Sequence, residues 1–220
     1  MELIRVDTQR AYDLLWQKIT TLDLSPGSAI NNQQLAAELN MSETAVREAL
    51  KLLVHDGLVF ITPRHGMYVV DINLPDLAQL SEMRLALETL CARMAAERAT
   101  PDDVTVLDAL RREAAELYQQ QTLSTADKQR LFEIDHKFHQ AIARAAHNKY
   151  MVEVLERFFG LSQRLWYLAL PHLGFLPSAV EEHFDLVEAI KAGNPARAAD
   201  IMHHHVQDFY NKVQEILEEQ

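Results

Sequence analysis

The chain has 220 residues, of which 48% are hydrophobic, and it carries a formal net charge of −11 at pH 7. This composition is that of a folded chain of one or two domains and excludes disorder as the default state. The single cysteine, Cys91, excludes an internal disulfide and a cysteine-based zinc cluster. The start does not resemble a signal peptide and no apolar run reaches membrane-spanning length, so we expect a soluble cytoplasmic protein without a membrane partner.

The negative charge argues against a nucleic-acid partner unless the contact is local. Residues 1–74 hold 6 Lys and Arg against 9 Asp and Glu, a net charge of −3, and the remaining residues hold 15 against 23, a net charge of −8. The N-terminal part is closer to neutrality, but it is not basic. Any DNA contact made by this part has to come from a small patch.

The first 72 residues combine short helices with a hairpin. Apolar side chains at helical spacing predict a helix from Asp7 to about Thr21, and the proline and glycine of "LSPGSAI" predict a turn after it. Two short helices follow, separated at Asn40-Met41, and "LVFITPRHGMYVVD" alternates around a turn as a β-hairpin does. This is the element order of a winged helix-turn-helix, so residues 1–72 are predicted to form a DNA-binding domain.

Residues 73–220 are predicted to be helical throughout. Thr100-Pro101 followed by two aspartates is a strong helix start, and Gly193-Asn194-Pro195 is a strong stop and restart. The pattern predicts helices near residues 76–99, 101–121, 125–147, 149–169, 178–192 and 195–218. The fold class is therefore mainly α, with a winged helix-turn-helix followed by an all-helical bundle of about six helices.

The second helix of a helix-turn-helix inserts its N-terminal residues into the major groove, and the hairpin tip can reach the backbone or the minor groove. Arg47 projects away from the apolar stripe of its helix and is free to bind phosphate or guanine. A winged helix can instead bind another protein, with Arg47 simply solvated. The predicted DNA-contacting residues are Ser42, Glu43, Thr44 and Arg47 on the helix and Arg64, His65 and Gly66 at the tip.

Four polar residues of the helical domain lie where periodicity predicts core. Asp135 and His139 are one turn apart, so their side chains share a helix face. His183 lies on the apolar face of the next-to-last helix. The last helix contains three consecutive histidines, and only His205 aligns with its apolar stripe because successive residues rotate by about 100°. His203 and His204 are predicted to lie at the surface.

Burying an aspartate and three imidazoles without partners would be costly. One such histidine could simply be hydrogen-bonded in the core, but the four residues together favour a shared divalent metal. Three imidazoles and a carboxylate suit zinc, our first choice, and also nickel or manganese. The other histidines are predicted to be bystanders on polar faces or in loops: His55, His136, His147 and His172.

An open metal site suggests a small anionic effector. Arg84 faces an apolar stripe and could bind a carboxylate bidentately, or it could form an i, i+4 pair with Glu88. Asn148 could cap the following helix. Arg164 and Tyr167 complete the predicted effector site.

Residues 26–70, including "VREAL" at 46–50, resemble the DNA-binding domain of the GntR superfamily of bacterial transcription regulators. Three positions depart from the usual family pattern: Glu43 and Ala45 stand where arginine and proline are common, and Gln33 stands near a frequent arginine. Glu43 cannot bind phosphate, so it either complements the helix dipole or accepts a hydrogen bond from cytosine. We therefore expect an operator that differs from the common family site.

The segments "SEMRLALETLCARMAA", "DHKFHQAIARAAHNKY" and "EEHFDLVEAIKAGNPARAADIMHHHV" resemble the FCD ligand-binding domain of the FadR subgroup. In metal-binding members, the matching positions ligate the ion, which implies the same role for Asp135, His139, His183 and His205. The resemblance also implies a small organic acid as effector and favours the ligand role of Arg84. Asn148 matches a family position, which makes it a second effector candidate beside its alternative role as a helix cap.

The sequence thus predicts a regulator, not an enzyme: a repressor that binds a palindromic double-stranded DNA operator as a homodimer and responds to a carboxylate at a metal. One alternative is a metal-dependent hydrolase or lyase that uses the same site. Against it, Glu133 and Glu182 are expected to point to other helix faces, which leaves no convincing general base. The other alternative is a regulator whose metal is purely structural.

Overall fold

The computed structural model describes residues 2–119, 124–169 and 177–218. The chain folds into two compact units, of which the first comprises Met1–Leu77 with Gly160–Pro171 and the second comprises Ala78–Phe159 with His172–Gln220. None of the helices in the described part of the chain has both the length and the apolar character needed to cross a membrane.

The first unit has the predicted helix-turn-helix and hairpin. Its elements are α1 (Glu2–Thr20), β1 (Ala29–Ile30), α2 (Asn32–Glu38), α3 (Glu43–His55), β2 (Val59–Thr62) and β3 (Gly66–Val69). The sheet is antiparallel with the order β1-β3-β2. The prediction of a plain turn over "LSPGSAI" was incomplete, because Ala29 pairs with Tyr68 and Ile30 with Met67. A two-residue strand has no periodicity from which it could be predicted.

The core of this unit joins the three helices to the sheet. Its buried residues include Leu15 and Ile19 of α1, Leu35 of α2, Leu50 and Leu53 of α3, and Val69 of β3. The tip of the hairpin is shaped by backbone with positive φ, at 68° for Arg64 and 102° for Gly66. Glycine adopts the second of these conformations without the steric cost that a Cβ would bring.

In the described part of the chain six helices follow, each within a few residues of its predicted range. They are α4 (Leu74–Arg98), α5 (Pro101–Tyr118), α6 (Thr125–Ala145), α7 (Lys149–Ala169), α8 (Pro177–Lys191) and α9 (Pro195–Glu218). Local signals set several of the boundaries. Thr100 and Asp103 form a capping box at the start of α5, and Gly193, at φ 59°, precedes the Asn194 side chain that accepts from the Arg197 backbone amide at the start of α9.

The core of the second unit is built from the apolar faces that periodicity predicts. Phe138 and Ile142 of α6, Val187 of α8, and Met202 and Val206 of α9 are all buried. These three helices bring their polar core-facing residues to the same part of the unit.

Candidate metal centre and nucleic-acid interface

Asp135, His139, His183 and His205 converge in the second unit. One ligand atom from each residue can be chosen so that all four atoms lie within 4.8 Å of one another. The Nε2 atoms of His139 and His205 are 3.1 Å apart, and Nε2 of His183 lies 3.1 Å from Oδ1 of Asp135. Three helices, α6, α8 and α9, therefore supply a compact set of one carboxylate and three imidazoles.

The three consecutive histidines of α9 differ in exposure as helix geometry predicts. His205 is buried with 6% of its surface exposed, whereas His203 and His204 are exposed. Nδ1 of His204 lies 2.7 Å from the Asp200 carbonyl oxygen of its own helix. Only His205 of the three belongs to the cluster.

The geometry of the cluster fits a metal. Two ligand atoms bound at about 2.0–2.1 Å to one ion, at octahedral to tetrahedral angles, lie about 2.8–3.4 Å apart, and two of the separations are 3.1 Å. The Nε2 to carboxylate distances from Asp135 to His205 and His139, 3.7 and 3.8 Å, are slightly longer. Nδ1 of the buried His183 makes no hydrogen bond, and its Nε2 faces Oδ1 of Asp135 at 3.1 Å without good hydrogen-bond geometry. A buried nitrogen without a well-formed hydrogen bond is costly unless another ligand satisfies it.

Burial and neighbouring charges shift the pKa values of the cluster residues in different directions. Burial lowers the pKa of His183 to about 4, with the charge of His205 acting in the same direction. Burial opposes the charge on His205, but hydrogen bonds to Asp135 and Glu182 raise its pKa to about 9. Burial likewise opposes ionisation of Asp135, but the histidines around it hold its pKa well below the usual range. Without a metal, His205 therefore carries the proton that compensates Asp135.

Two glutamates that the sequence reasoning did not assign to the site complete its surroundings. The prediction that Glu182 points to another face is wrong, because its Oε2 lies 2.7 Å from Nδ1 of His205. Glu88 contacts Nδ1 of His139 through Oε2. Their positions in the sequence were the features that could have indicated these two glutamates. Glu88 lies one helical turn after Arg84, and Glu182 directly precedes His183.

Arg84 is buried beside this cluster and makes the i, i+4 pair. Its Nε donates to Oε1 of Glu88 at 2.5 Å, and its guanidinium lies 5.1 and 5.8 Å from the ring centroids of Phe159 and Tyr210. Burial acts to raise the pKa of Glu88, but the charges of Arg84 and His139 outweigh it and lower that pKa to about 2. One glutamate therefore links the predicted effector arginine to a candidate metal ligand.

The other predicted effector residues lie on α7 or directly before it. Arg164 is buried in the first unit, where it donates to the Val70 carbonyl oxygen, and Tyr167 belongs to the same unit. Arg164 therefore already has a main-chain acceptor, and the assignment of Arg164 and Tyr167 to the effector site stays a prediction. Asn148 precedes α7, and its Oδ1 accepts from the Met151 amide at 3.4 Å, as the capping alternative predicts.

The histidines predicted to be bystanders divide into two groups. His55 is exposed, and the exposed His147 pairs with Asp103 at 2.9 Å. The prediction that His136 lies on a polar face is wrong: its ring packs edge-on against Phe159 at 5.3 Å, and burial lowers its pKa to about 4. The core-facing side of α6 is wide enough to include this residue next to Asp135. His172 lies outside the described residues.

The predicted DNA-contacting residues lie at the N-terminal end of α3 and at the hairpin tip. Ser42 caps α3, its Oγ accepting from the Ala45 amide at 3.2 Å. The remaining predicted residues are exposed, as a DNA contact requires: Glu43, Thr44, Arg47, Arg64, His65 and Gly66.

Comparison with known proteins gives two family matches that together span most of the chain. The FCD domain matches residues 79–208, and the gntR family of bacterial regulatory proteins matches residues 7–69. The HTH-type transcriptional repressor RspR of Escherichia coli strain K12 is 26% identical over 213 residues, which cover 96% of this chain and 90% of RspR.

Two solved structures share the fold. E. coli McbR/YncC matches with a TM-score of 0.81 at 20% identity, covering 95% of this chain and 97% of that one. A putative GntR transcriptional regulator from Rhodococcus sp. RHA1 matches with a TM-score of 0.76 at 20% identity, covering 97% and 98%.

Proposed function

The chain belongs to the gntR family of bacterial regulatory proteins and contains an FCD domain, and on that premise we propose that it is a repressor controlled by a small carboxylate bound beside a divalent metal. Its family makes it a DNA-binding transcriptional regulator, and its relatives are regulators, not enzymes. The repressor assignment is supported by RspR, which is named a repressor. Residues 1–72 serve as the DNA-binding domain and residues 73–220 as the sensing domain.

The observation that carries the proposal is the convergence of four ligand atoms within 4.8 Å, from three buried histidines and the half-buried Asp135. Asp135 and the Nε2 atoms of His139, His183 and His205 would hold the ion, with zinc as first choice and nickel or manganese as further candidates. A divalent ion bound there would offer its open coordination positions to a carboxylate oxygen. The sensing role requires an open coordination position on the ion, whereas a purely structural metal does not.

Arg84 is the residue we assign to the effector carboxylate. Its Nε is held by Glu88, which leaves the edge formed by the two Nη groups with the geometry for bidentate binding. The rings of Phe159 and Tyr210, which lie beside the guanidinium, restrict its movement. The effector is therefore a small organic acid that approaches both the arginine and the ion.

The DNA contacts are assigned to the exposed residues at the start of α3 and at the hairpin tip. Because residues 1–74 carry a net charge of −3, one such domain has little electrostatic attraction for DNA. Two domains of a homodimer on a palindromic operator would add their contacts, and a carboxylate that binds one arrangement of the dimer better than another would change DNA affinity. A protein with this role works in the cytoplasm, where the operator is.

A purely structural metal is the second candidate, and the Arg84–Glu88 pair favours it because the guanidinium already has a carboxylate partner. The two candidates differ in their response to acids. Metal analysis of the purified full-length protein, followed by thermal-shift screening of small carboxylates, separates them.

For the proposed sensor, we expect one divalent ion per chain and a carboxylate that raises the melting temperature of the wild type but not of His183→Ala. His204→Ala, an exposed neighbour of the candidate ligand on α9, is the matched control and should behave like the wild type. Bound metal without any response to carboxylates would support the structural role, and a wild type that binds no metal would refute both.

A further inference from the structure

In two of the three candidate imidazole ligands, a glutamate carboxylate contacts the ring nitrogen Nδ1. Nδ1 of His205 lies 2.7 Å from Oε2 of Glu182, and Nδ1 of His139 contacts Oε2 of Glu88. In both rings, Nε2 faces the opposite way, and the two Nε2 atoms are 3.1 Å apart. The same arrangement thus occurs twice, on residues separated by 23 and by 51 positions in the chain.

We infer that Glu182 and Glu88 are positioning residues, each of which fixes the tautomer and the ring orientation of one histidine so that its Nε2 lone pair faces the metal. An ionised carboxylate only accepts hydrogen bonds, so the nitrogen it contacts must carry the hydrogen. In a neutral imidazole, the other nitrogen is then the lone-pair donor that a metal requires. This inference rests on the metal site of the proposed function.

His183 is held differently, which gives an internal comparison. Its ring stacks on Phe138 with the centroids 4.0 Å apart and the planes inclined by 25°. Its Nδ1 is buried and makes no hydrogen bond. Packing can fix the plane of this ring, but it does not select between the two tautomers. Removal of a glutamate should therefore affect the tautomer of His139 or His205 and leave His183 unchanged.

The charges of the surroundings agree with this role. Asp135, Glu88 and Glu182 supply three carboxylates, and the buried Arg84 offsets one of them through its contact with Glu88. With neutral imidazoles, two negative charges remain, which one divalent cation neutralises. Glu182 thus contributes charge as well as orientation, and a glutamine in its place retains only the acceptor oxygen.

Glu182 is the better residue for the test, because Glu88 also neutralises a buried arginine and its loss would endanger folding. The full-length wild type, Glu182→Ala and Glu182→Gln are titrated with Zn²⁺ in competition with a chromophoric chelator. The control is Glu181→Ala, whose side chain is adjacent and exposed. We expect affinity to fall about 10–100-fold for the alanine variant and less for glutamine, with the control unchanged.

The second measurement reads the tautomer directly, from ¹⁵N chemical shifts of the imidazoles in the zinc-loaded proteins. We expect a protonated Nδ1 on His205 of the wild type, a mixed or altered signal in Glu182→Ala, and recovery in Glu182→Gln. A Glu182→Ala variant that binds Zn²⁺ within twofold of the wild type and keeps the same His205 tautomer would overturn the positioning role and leave the metal site standing. Absence of Zn²⁺ binding by the wild type would instead overturn the metal site, and this inference with it.

Discussion

Replacement of single histidines on α9 tests whether helix geometry selects one ligand from three consecutive candidates. His205→Ala removes the buried imidazole that lies between Asp135 and Glu182, whereas His203→Ala and His204→Ala remove exposed rings from the same helix. We expect the first substitution to abolish specific metal binding. The other two should leave it unchanged.

The expected magnitude follows from the link between binding and stability. A metal that binds only the folded protein, present at 100 times its dissociation constant, stabilises the protein by about 2.7 kcal/mol. For a chain of this size, that corresponds to a rise in melting temperature of about 5–10 °C. His205→Ala should lose this increment, and the two control variants should retain it in full.

The assay is differential scanning fluorimetry of each full-length variant with Zn²⁺ and with a chelator. The quantity compared is the difference between the two melting temperatures, because loss of a buried imidazole also changes the stability of the metal-free protein. An increment for His205→Ala equal to that of the wild type would refute the assignment of His205. Loss of the increment in His204→Ala would refute the argument from helix geometry.

Three further predictions concern the DNA contact, the proton balance and the effector. Glu43→Arg should strengthen DNA binding or change its sequence preference, as measured by selection from a random DNA pool; unchanged affinity and preference would contradict a base contact by Glu43. Since the pKa of His205 is raised to about 9, metal binding at pH 7 should displace its proton, and the metal affinity should fall as the pH falls. Calorimetry in buffers of different ionisation enthalpy should detect the released proton. A binding enthalpy that does not depend on the buffer would contradict this proton release. Arg84→Lys keeps the charge beside Glu88 but loses the planar pair of donors, so it should weaken the carboxylate response at least about tenfold while one metal per chain is retained; an unchanged response would exclude Arg84 as the carboxylate ligand.

The sequence predicts well those helices whose boundaries are set by residues close to them in the chain. The capping box at Thr100 and the break at Gly193 lie within a few residues of the boundaries that they set. The cluster was predictable for a related reason: each of its residues lies on the apolar face of its own helix, and a polar group there needs a partner. This prediction of the cluster required no knowledge of the contacts between helices.

What the sequence could not provide are contacts between distant segments. Glu88 reaches His139 across 51 positions, and Glu182 reaches His205 across 23. On its own helix, each glutamate is simply a polar residue beside the apolar stripe, and its partner depends on how the helices pack. The contact of Arg164 with the main-chain oxygen of Val70 likewise joins segments that are distant in the sequence. A helical wheel identifies the side chains that face inward, but not what they meet there.

The central claim, a carboxylate sensed through a metal, is tested most directly by DNA release. Fluorescence anisotropy of a selected DNA duplex is followed while the carboxylate identified by thermal shift is added to metal-loaded wild type, chelator-treated wild type and His183→Ala. We expect the carboxylate to weaken DNA binding at least about tenfold for the metal-loaded wild type and to have no effect on the chelator-treated wild type or on His183→Ala. An equal loss of DNA affinity in all three samples would contradict it.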